Sequence, residues 1–306
     1  MYLFELSGEH PDLACEEVES LFGSNTDKIN DKYIILQTIK ESLLSKLAFT
    51  KYCNKILFSC KKDQLIQQIS YFDWNQVYKK DFAVRVFGKL DKKDSELADL
   101  IWKMLKNPKT NLGNPATCIK FHIINDTIYC VLEVWKNAEK FSERKPHMRP
   151  ESQPISLDPK LARCMVNLAN SDKIIDPFCG TGGILIEAGL IGLDYEGFDI
   201  ESKMVNSSNK NLKFFGLKEN AKQGDALKID YDTPVVTDFP YGRNTKSKDL
   251  PNLLKQFLVT CNSRIIIGID SNIEYKNALK EANRTLKKEF SIYIHKNLTK
   301  KILVIA

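Results

Sequence analysis

Hydrophobic positions in the C-terminal half of the chain repeat with two alternating spacings, which together predict an α/β fold. Short apolar runs predict strands at 173–176, 194–200, 220–223, 235–238, 265–269, 290–295 and 301–305. Helical spacing predicts helices at 160–168, 184–192, 201–215, 248–262 and 274–287. Because strands and helices alternate until the last two strands, we predict a mostly parallel sheet closed by an antiparallel C-terminal hairpin.

The N-terminal half contains shorter elements that predict two small α+β domains. The first, over 1–62, has predicted strands at 2–7, 33–38 and 55–60 and predicted helices at 12–22 and 41–49. The second, over 63–135, has predicted strands at 82–87, 116–124 and 127–135 and a predicted helix at 94–105. Asn125-Asp126 lies between the last two of these strands and predicts a β-hairpin.

A linker is predicted over 136–158 and a third domain over 159–306. The core of the linker is Arg144-Lys145-Pro146-His147-Met148-Arg149-Pro150, in which the prolines disfavour a helix. Asp158-Pro159 predicts the start of the next helix, because aspartate caps helices and proline is favoured at their first position. A length of 306 residues agrees with two or three domains.

Charge is distributed unevenly, although the net charge of the chain is only +6. Residues 1–50 carry −5, residues 51–150 carry +8, and residues 151–306 carry +3. The basic middle is typical of a surface that binds a polyanion, and an ordinary solvated surface rich in lysine would have the same pattern. Charge by itself leaves both interpretations open.

The cysteines and the apolar runs indicate a cytoplasmic protein without a metal site. The eight cysteines include no Cys-x-x-Cys pair and no partnering histidine cluster, so we expect reduced thiols. No apolar run is long enough to cross a bilayer, and the first residues lack the basic start of a secretory signal.

A glycine-rich loop follows the first strand of the third domain, in the segment Asp176-Pro177-Phe178-Cys179-Gly180-Thr181-Gly182-Gly183. A strand, a tight turn and a helix within about twenty residues form the usual nucleotide site of a doubly wound fold. No lysine with a Ser/Thr partner follows the glycines, which argues against a phosphate-binding P-loop. The loop alone is a weak signal, since glycine turns often only close a helix against a sheet.

Each of the first four predicted strands of this domain ends at or near an acid: Asp176, Asp199, Asp225 and Asp238. Ligands of such sheets bind at the carboxyl ends of the strands. Asp199 follows Asp176 by 23 positions, which suits hydrogen bonds from ribose hydroxyls. Asp225, followed by Ala226, could accept a hydrogen bond from an adenine amino group.

The fourth strand end, Asp238-Phe239-Pro240-Tyr241-Gly242-Arg243, is the most informative segment. Tyr241 could stack on a planar ring, while Asp238 and a neighbouring backbone carbonyl accept hydrogen bonds from its amine. A proline-containing turn after a strand would be the simpler interpretation if the segment stood alone.

These motifs together resemble a family of RNA-modifying enzymes. The two strand-end segments look like those of amino-methyltransferases that use S-adenosylmethionine. The linker core, the segment Leu157-Asp158-Pro159-Lys160-Leu161-Ala162-Arg163 and the closing 295–301 narrow the resemblance. They resemble the archaeal and eukaryotic tRNA methyltransferases that modify the 2-amino group of guanosine 10, and the archaeal type above all. The resemblance covers almost the whole chain and is strongest from about residue 140 onward.

The resemblance implies a Rossmann-like class I methyltransferase domain over 159–306, preceded by a ferredoxin-like domain over 1–62 and a THUMP RNA-binding domain over 63–135. It implies S-adenosylmethionine as cofactor. The implied cofactor-binding residues are Asp176, Pro177, Phe178, Cys179, Gly180, Thr181, Gly182, Asp199, Ile200, Asp225 and Ala226. The implied catalytic residues are Asp238, Phe239, Pro240 and Tyr241. The family usually has a proline where this chain has Phe239, so the rate or the choice of base could differ.

The implied partner is tRNA, whose phosphates would meet basic residues of the middle of the chain, the linker and the fourth strand end. The predicted tRNA contacts are Arg85, Lys89, Lys92, Lys93, Arg144, Lys145, Arg149 and Arg243. A monomer is expected, and the resemblance leaves open whether a small activating subunit joins it. It also leaves open whether one or two methyl groups are added.

Three other functions stay open at the level of the sequence. The first is methylation of a guanosine elsewhere in tRNA, for example in the acceptor stem. The second is methylation of DNA, which the THUMP-like segment disfavours. The third is a non-catalytic tRNA-binding scaffold, which the four strand-end acids disfavour and Phe239 slightly favours.

Overall fold

The computed structural model describes residues 1–153, 156–240, 249–295 and 298–306. The chain divides into two compact units. The first consists of Met1–Pro11, Ser24–Leu44 and Thr50–Asn137, and the second of Asp12–Gly23, Ser45–Phe49 and Ala138–Ala306.

The first half of the chain supplies seven strands and three helices. The strands are β1 (Tyr2–Leu6), β2 (Asp27–Lys28), β3 (Tyr33–Leu36), β4 (Thr50–Cys60), β5 (Phe82–Phe87), β6 (Thr117–Ile124) and β7 (Thr127–Lys136). The helices are α1 (Pro11–Phe22), α2 (Leu65–Tyr71) and α3 (Asp94–Trp102). Short 3₁₀ helices span Glu41–Lys46, Lys62–Gln64 and Trp74–Gln76.

The seven strands of the first unit form one sheet in the order β2-β3-β1-β4-β7-β6-β5. Strands from both predicted N-terminal domains therefore share one sheet, in which only β5 and β6 pair in parallel. The predicted hairpin is confirmed: β6 and β7 are antiparallel, and Asn125 and Asp126 have φ values of 48° and 60°. Left-handed residues at both turn positions give the turn a twist that matches the flanking strands.

The described residues of the second half form seven more strands and five helices. The strands are β8 (Lys173–Asp176), β9 (Asp194–Asp199), β10 (Ala221–Gln223), β11 (Val235–Asp238), β12 (Ile265–Asp270), β13 (Leu286–His295) and β14 (Leu298–Ile305). The helices are α4 (Pro159–Leu168), α5 (Gly183–Leu190), α6 (Ser202–Phe214), α7 (Leu250–Thr260) and α8 (Lys276–Glu281). Further 3₁₀ helices span Phe141–Arg144, Pro146–Met148 and Ala226–Lys228.

The sheet of the second unit has the order β10-β9-β8-β11-β12-β14-β13. The five strands β10, β9, β8, β11 and β12 pair in parallel. Strand β14 is antiparallel to both β12 and β13. The predicted α/β fold and its C-terminal hairpin are thus confirmed. The direction of strand succession reverses between β8 and β11, and such a reversal is where doubly wound sheets bind ligands.

Three predicted helices are clearly shorter than their sequence patterns indicate, and the one predicted at 94–105 ends at Trp102. The helix predicted at 41–49 is a 3₁₀ helix that ends at Lys46, because the N–H groups of Ala48 and Phe49 donate to the buried carboxylate of Glu17, both at 2.8 Å. The helix predicted at 274–287 ends at Glu281, since Asn283 adopts a left-handed φ of 52°. Strand β13 begins four residues earlier than predicted, at Leu286.

The termini of α4 agree with the prediction from sequence. The Asp158 carboxylate accepts a hydrogen bond from the Lys160 N–H at 2.9 Å, and Pro159 occupies the first helical position. None of the helices in the described ranges is both long enough and apolar enough to cross a membrane.

Candidate active site

The strand order brings three of the four predicted acids to neighbouring strand ends. Asp176 ends β8, Asp199 ends β9 on one side of it, and Asp238 ends β11 on the other. Asp225 follows β10, the next strand outward. The four acids therefore lie along one edge of the sheet, on both sides of the point where the strand order reverses.

Asp176 is a buried carboxyl at the centre of this edge. Its Oδ1 accepts hydrogen bonds from the Thr237 hydroxyl at 2.6 Å and from the Phe178 N–H at 3.2 Å. Burial, and to a smaller degree the charges of Asp238 and Asp199, raise the pKa of Asp176 to about 7. The carboxyl is thus held in a fixed orientation between β8 and β11.

The glycine-rich loop folds back over the end of β9. The Cys179 N–H donates to the Phe198 carbonyl at 2.9 Å, and the Gly180 N–H donates to Asp199 Oδ2 at 3.0 Å. Gly182 has a φ of 84°, and a Cβ there would lie 2.4 Å from Ser208 Oγ, so only glycine fits. Gly180 also has a positive φ, but no described atom lies within 4 Å of the place where its Cβ would stand.

Asp199 keeps accepting capacity for a ligand. Its Oδ1 accepts from the Glu201 N–H at 2.9 Å, and its Oδ2 accepts from Gly180 as described above. An ionised carboxylate has about four lone-pair positions, so two further hydrogen bonds are available in principle. The neighbouring Ile200 side chain is 64% exposed and offers an apolar surface beside the carboxylate.

Asp225 has a structural role as a cap. Its Oδ1 accepts from the Leu227 N–H at 3.1 Å, which starts the 3₁₀ helix Ala226–Lys228. Ala226 is buried in the core, while Asp225 itself is half-buried. The carboxylate therefore lies at the surface of the strand edge with its backbone fixed.

Asp238 pairs with Lys300, which lies in the closing segment 295–301 but to which the sequence alone assigned no role. The Lys300 Nζ, on β14, contacts both carboxylate oxygens of Asp238. Burial raises the pKa of Asp238, and the charge and hydrogen bonds of Lys300 oppose that rise. The signal that could have revealed Lys300 is its alternation with Ile302 and Val304, which places it on an apolar strand face.

Phe239 directs its ring into the core rather than toward a ligand. The side chain is fully buried, and its ring lies 5.5 Å from that of Phe178, centroid to centroid. The Phe239 N–H donates to the Gly268 carbonyl at 2.8 Å and extends the β11–β12 ladder by one bond. A proline could not make this bond, so Phe239 gives the strand end one backbone hydrogen bond that the family's usual proline lacks. Tyr241 and Arg243 lie outside the described residues.

Two arginines predicted to contact tRNA are engaged within the second unit. Arg144 donates from Nε to Glu187 at 2.8 Å and from Nη2 to Glu139 at 2.8 Å. Arg149 is 5% exposed, and its Nε donates to the Arg144 carbonyl at 2.8 Å. The tRNA contacts predicted for both residues stay predictions, whereas Lys145 between them is exposed.

Arg149 also carries an unsatisfied charge close to the glycine loop. Its Nη1 and Nη2 are buried and have no hydrogen-bond partner among the described residues. Nη1 lies 3.1 Å from the place where a Cβ on Gly183, the first residue of α5, would stand. Because a helix N-terminus and a guanidinium both favour anions, this position suits a carboxylate or a phosphate.

The predicted contacts in the first unit lie on or near its surface. Lys89 and Lys93 are exposed, and Lys92 is half-buried. Arg85 donates to the carbonyls of Val84 at 3.0 Å and Leu112 at 2.6 Å, so it fixes the loop that contains Leu112.

The residues at the strand edge fit S-adenosylmethionine. Asp199 can accept from ribose hydroxyls, and the open side of Gly180 lets a ligand approach the backbone. The carboxylates of Asp199 and Asp238, with the partly ionised Asp176, make the edge negative beside Lys300, which favours a sulfonium cation. Arg149 could neutralise the carboxylate at the methionine end of the cofactor.

Comparison with known proteins identifies several similar chains. Residues 146–300 match the family described as RMKL-like, methyltransferase domain. Over 98% of its length the chain is 31% identical to the tRNA (guanine(10)-N2)-dimethyltransferase of Methanothermobacter thermautotrophicus, of which it covers 97%. It is 30% identical to the protein of that name from Pyrococcus abyssi, with 98% of each chain covered.

Two more distant matches are informative. The chain is 23% identical to the tRNA (guanine(6)-N2)-methyltransferase of Archaeoglobus fulgidus, with 89% of this chain and 83% of the other covered. The crystal structure of TrmN from Thermus thermophilus superposes with a TM-score of 0.52 at 16% identity, covering 99% of this chain and 98% of the other. The structural match supports the fold.

Proposed function

The chain belongs to the RMKL-like methyltransferase-domain family, and from that premise we propose that it methylates the 2-amino group of guanosine 10 in tRNA. The observation that carries the proposal is the near-full-length similarity to two relatives named for dimethylation at that position. Those names also support the transfer of a second methyl group to the same nitrogen.

S-adenosylmethionine is the methyl donor, and when bound it supplies an electrophilic methyl group on a sulfonium. The glycine loop from Asp176 to Gly182 would hold its methionine part, and Arg149 would pair with its carboxylate. Asp199 would accept hydrogen bonds from its ribose, beside the apolar side chain of Ile200. Asp225 and Ala226 would hold its adenine.

The target guanine leaves its base pair before reaction, at a cost of a few kcal/mol. Its exocyclic amine donates hydrogen bonds to Asp238 and to the carbonyl of Phe239 or Pro240, which favours a nucleophilic geometry. The nitrogen forms a bond to the methyl carbon as the carbon–sulfur bond breaks, and one proton leaves the nitrogen for water or Asp238. Positioning and the negative charge of Asp238 supply most of the rate enhancement. Tyr241 is assigned the stacking contact with the base.

The first unit binds the body of the tRNA. Exposed lysines between β5 and α3 and in the segment after α3 give it a positive surface that suits phosphates: Lys89, Lys93, Lys103, Lys106 and Lys109. We assign a ferredoxin-like domain to 1–62, a THUMP domain to 63–135, a linker to 136–158 and the catalytic domain to 159–306. The protein acts in the cytoplasm, where its substrate is found.

A second candidate target is guanosine 6 of tRNA. The similarity to a relative named for that position supports it, although the identity is 23%, against 31% and 30% for the two position-10 relatives. The catalytic residues would serve both targets, because the same amino group is methylated.

The deciding experiment incubates the purified protein with unmodified tRNA and labelled S-adenosylmethionine, followed by mass spectrometry of nuclease fragments. Dimethylguanosine at position 10 is the expected product. Modification at position 6 would replace the target, and modification of DNA would overturn the RNA assignment. Tight tRNA binding with no transfer would indicate a scaffold.

A further inference from the structure

Lys300 is a buried cation at the candidate site that has no assigned part in the proposed reaction. Its side chain is 3% exposed, and Nζ contacts both carboxylate oxygens of Asp238. Moving an ammonium group from water into the protein interior is costly unless an anion accompanies it. The burial of Lys300 thus depends on an ionised Asp238, which keeps 17% of its side chain exposed.

The contact between Asp238 and Lys300 crosses a whole strand. Asp238 is on β11 and Lys300 is on β14, and β12 lies between them in the sheet. The residue of β12 that is opposite Asp238 is Gly268. A Cβ on Gly268 would lie 2.8 Å from Asp238 Oδ1, so any side chain there would obstruct the carboxylate. Glycine at this position provides the space for the contact.

Other charged groups around Asp238 are mostly acidic. Asp176 on β8 and Asp199 on β9 are the neighbouring carboxyls, and Asp270 on β12 is opposite Lys300 in the strand register. Among the residues that the structure describes, Lys300 is the cation in contact with the Asp238 carboxylate. Without it, burial and the neighbouring acids would together favour the protonated form of Asp238.

We propose that Lys300 is a positioning residue for methyl transfer, which holds the Asp238 carboxylate ionised and aims its free lone pairs at the substrate amine. This inference rests on the proposed function. A protonated Asp238 would lose part of its capacity to accept from the amine and would not stabilise the positive charge that develops on nitrogen. Lys300 acts through Asp238 and has no contact with the reacting atoms.

The test compares Lys300→Met, Lys300→Arg and Lys301→Met as full-length proteins. Lys301 is the matched control, because it is adjacent on β14 and pairs instead with Glu289, at 2.8 Å. Single-turnover rates with tRNA are measured from pH 5.5 to 9, together with binding of S-adenosylhomocysteine by calorimetry. Gly268→Ala is a second way to separate the pair without removing the lysine.

We expect Lys300→Met to lower the rate at pH 7 by about 30-fold or more and to move the acidic limb of the pH profile upward by at least about one unit. The limb moves upward because Asp238 then needs a higher pH to ionise. Gly268→Ala should shift it in the same direction, Lys300→Arg should restore most of the rate, and Lys301→Met should match wild type. Binding of S-adenosylhomocysteine should be retained throughout.

An unchanged acidic limb in Lys300→Met would overturn the inference. A titration of ¹³C-carboxyl-labelled aspartates by NMR gives a separate readout that needs no turnover. If wild-type protein methylates no guanosine, the proposed function fails, and the NMR titration still decides whether Lys300 sets the ionisation of Asp238. A carboxyl titration that is identical in wild type and Lys300→Met would reject the inference in that case also.

Discussion

Each of the two seven-stranded sheets buries one lysine among the described residues, and the two lysines have different surroundings. In the first unit Lys120 is 4% exposed, with Nζ 2.5 Å from Glu133 Oε2 and 3.5 Å from the centroid of the Tyr52 ring. In the second unit Lys300 contacts Asp238 across an intervening strand. Both lysines are paired, as buried charges must be.

The difference lies in where each carboxylate is placed. Lys120 and Glu133 belong to the antiparallel neighbours β6 and β7 and form a diagonal cross-strand pair. Asp238 instead ends a parallel strand, beside Asp176 and across a glycine that leaves room for its contact. A pair between adjacent strands stabilises the sheet, whereas a pair at the carboxyl edge presents a fixed carboxylate to a ligand.

The largest expected effect comes from removing the charge at each carboxylate. Asp238→Asn should lower methyl transfer by about 10²–10³-fold, since it removes the group that stabilises developing charge. Glu133→Gln should leave the rate unchanged while lowering the free energy of unfolding by about 1–2 kcal/mol, less than for a fully buried pair because Glu133 is partly exposed. Single-turnover kinetics measure the rate of methyl transfer, and urea unfolding measures the stability of each variant. If both variants lost rate equally, the proposed difference between the two carboxylates would be wrong.

Phe239→Pro tests whether the strand end of the second unit depends on the buried ring and its N–H. We expect the free energy of unfolding to fall by about 3–5 kcal/mol, because an aromatic core side chain and one backbone hydrogen bond are both lost. Phe239→Leu, which keeps the N–H, should cost about 1–2 kcal/mol in the same urea titration. A proline variant as stable as wild type would show that neither contact matters.

Arg149→Met removes the guanidinium beside α5 whose Nη1 and Nη2 have no hydrogen-bond partner among the described residues. S-adenosylhomocysteine should bind about 10–100-fold more weakly by calorimetry, the range expected for a lost charge-assisted hydrogen bond. Lys145→Met, in the same linker but exposed, is the control and should bind normally. Unchanged affinity in Arg149→Met would remove Arg149 from the cofactor site.

Asp176 should make the stability of the protein depend on pH. Its pKa is raised from 3.8 to about 7 in the folded state, so the folded state holds a proton that the unfolded state has lost between these values. Stability from this group is therefore present at low pH and is lost as pH rises through about 4 to 7. Asp176→Asn should gain up to a few kcal/mol relative to wild type above pH 7 and little below pH 4, by thermal unfolding across pH. A pH-independent difference would contradict the assignment.

Charge removal on the first unit should have the smallest effect. The double variant Lys89→Met with Lys93→Met should weaken tRNA binding several-fold and reduce the slope of log affinity against log salt by about 1 to 2. Its maximal rate should equal wild type, because the reacting groups are in the second unit. A loss of rate at saturating tRNA would place these lysines in catalysis instead.

The sequence predicted the fold of the second unit well because its signals are local. Alternating periodicities mark its strands and helices, and Asp158-Pro159 marks the start of α4. The predicted ends of the helices at 41–49 and 274–287 were wrong because contacts outside the helical pattern end these helices early. Ala48 and Phe49 donate to Glu17, which is 31 residues from Ala48 in the sequence, and α8 ends near a left-handed Asn283.

The sequence likewise predicted some residues of the candidate site and missed other features of it. The strand-end acids and the glycine loop are readable along the chain, since each lies at or near the end of a predicted strand. The burial of Arg149 and the engagement of Arg144 with Glu187 were not predicted, because a cation in a proline-rich linker has the same sequence signature whether it is exposed or enclosed.

The sequence by itself determined the alternation of strands and helices, the acids at four strand ends and the family to which the chain belongs. Only the tertiary structure decided that Asp238 is paired with Lys300, 62 residues away, and that Gly268 leaves room for the contact. The reason is physical: periodicity and turn chemistry are properties of neighbouring residues, whereas the ionisation of a buried carboxyl depends on which distant strands the sheet places beside it.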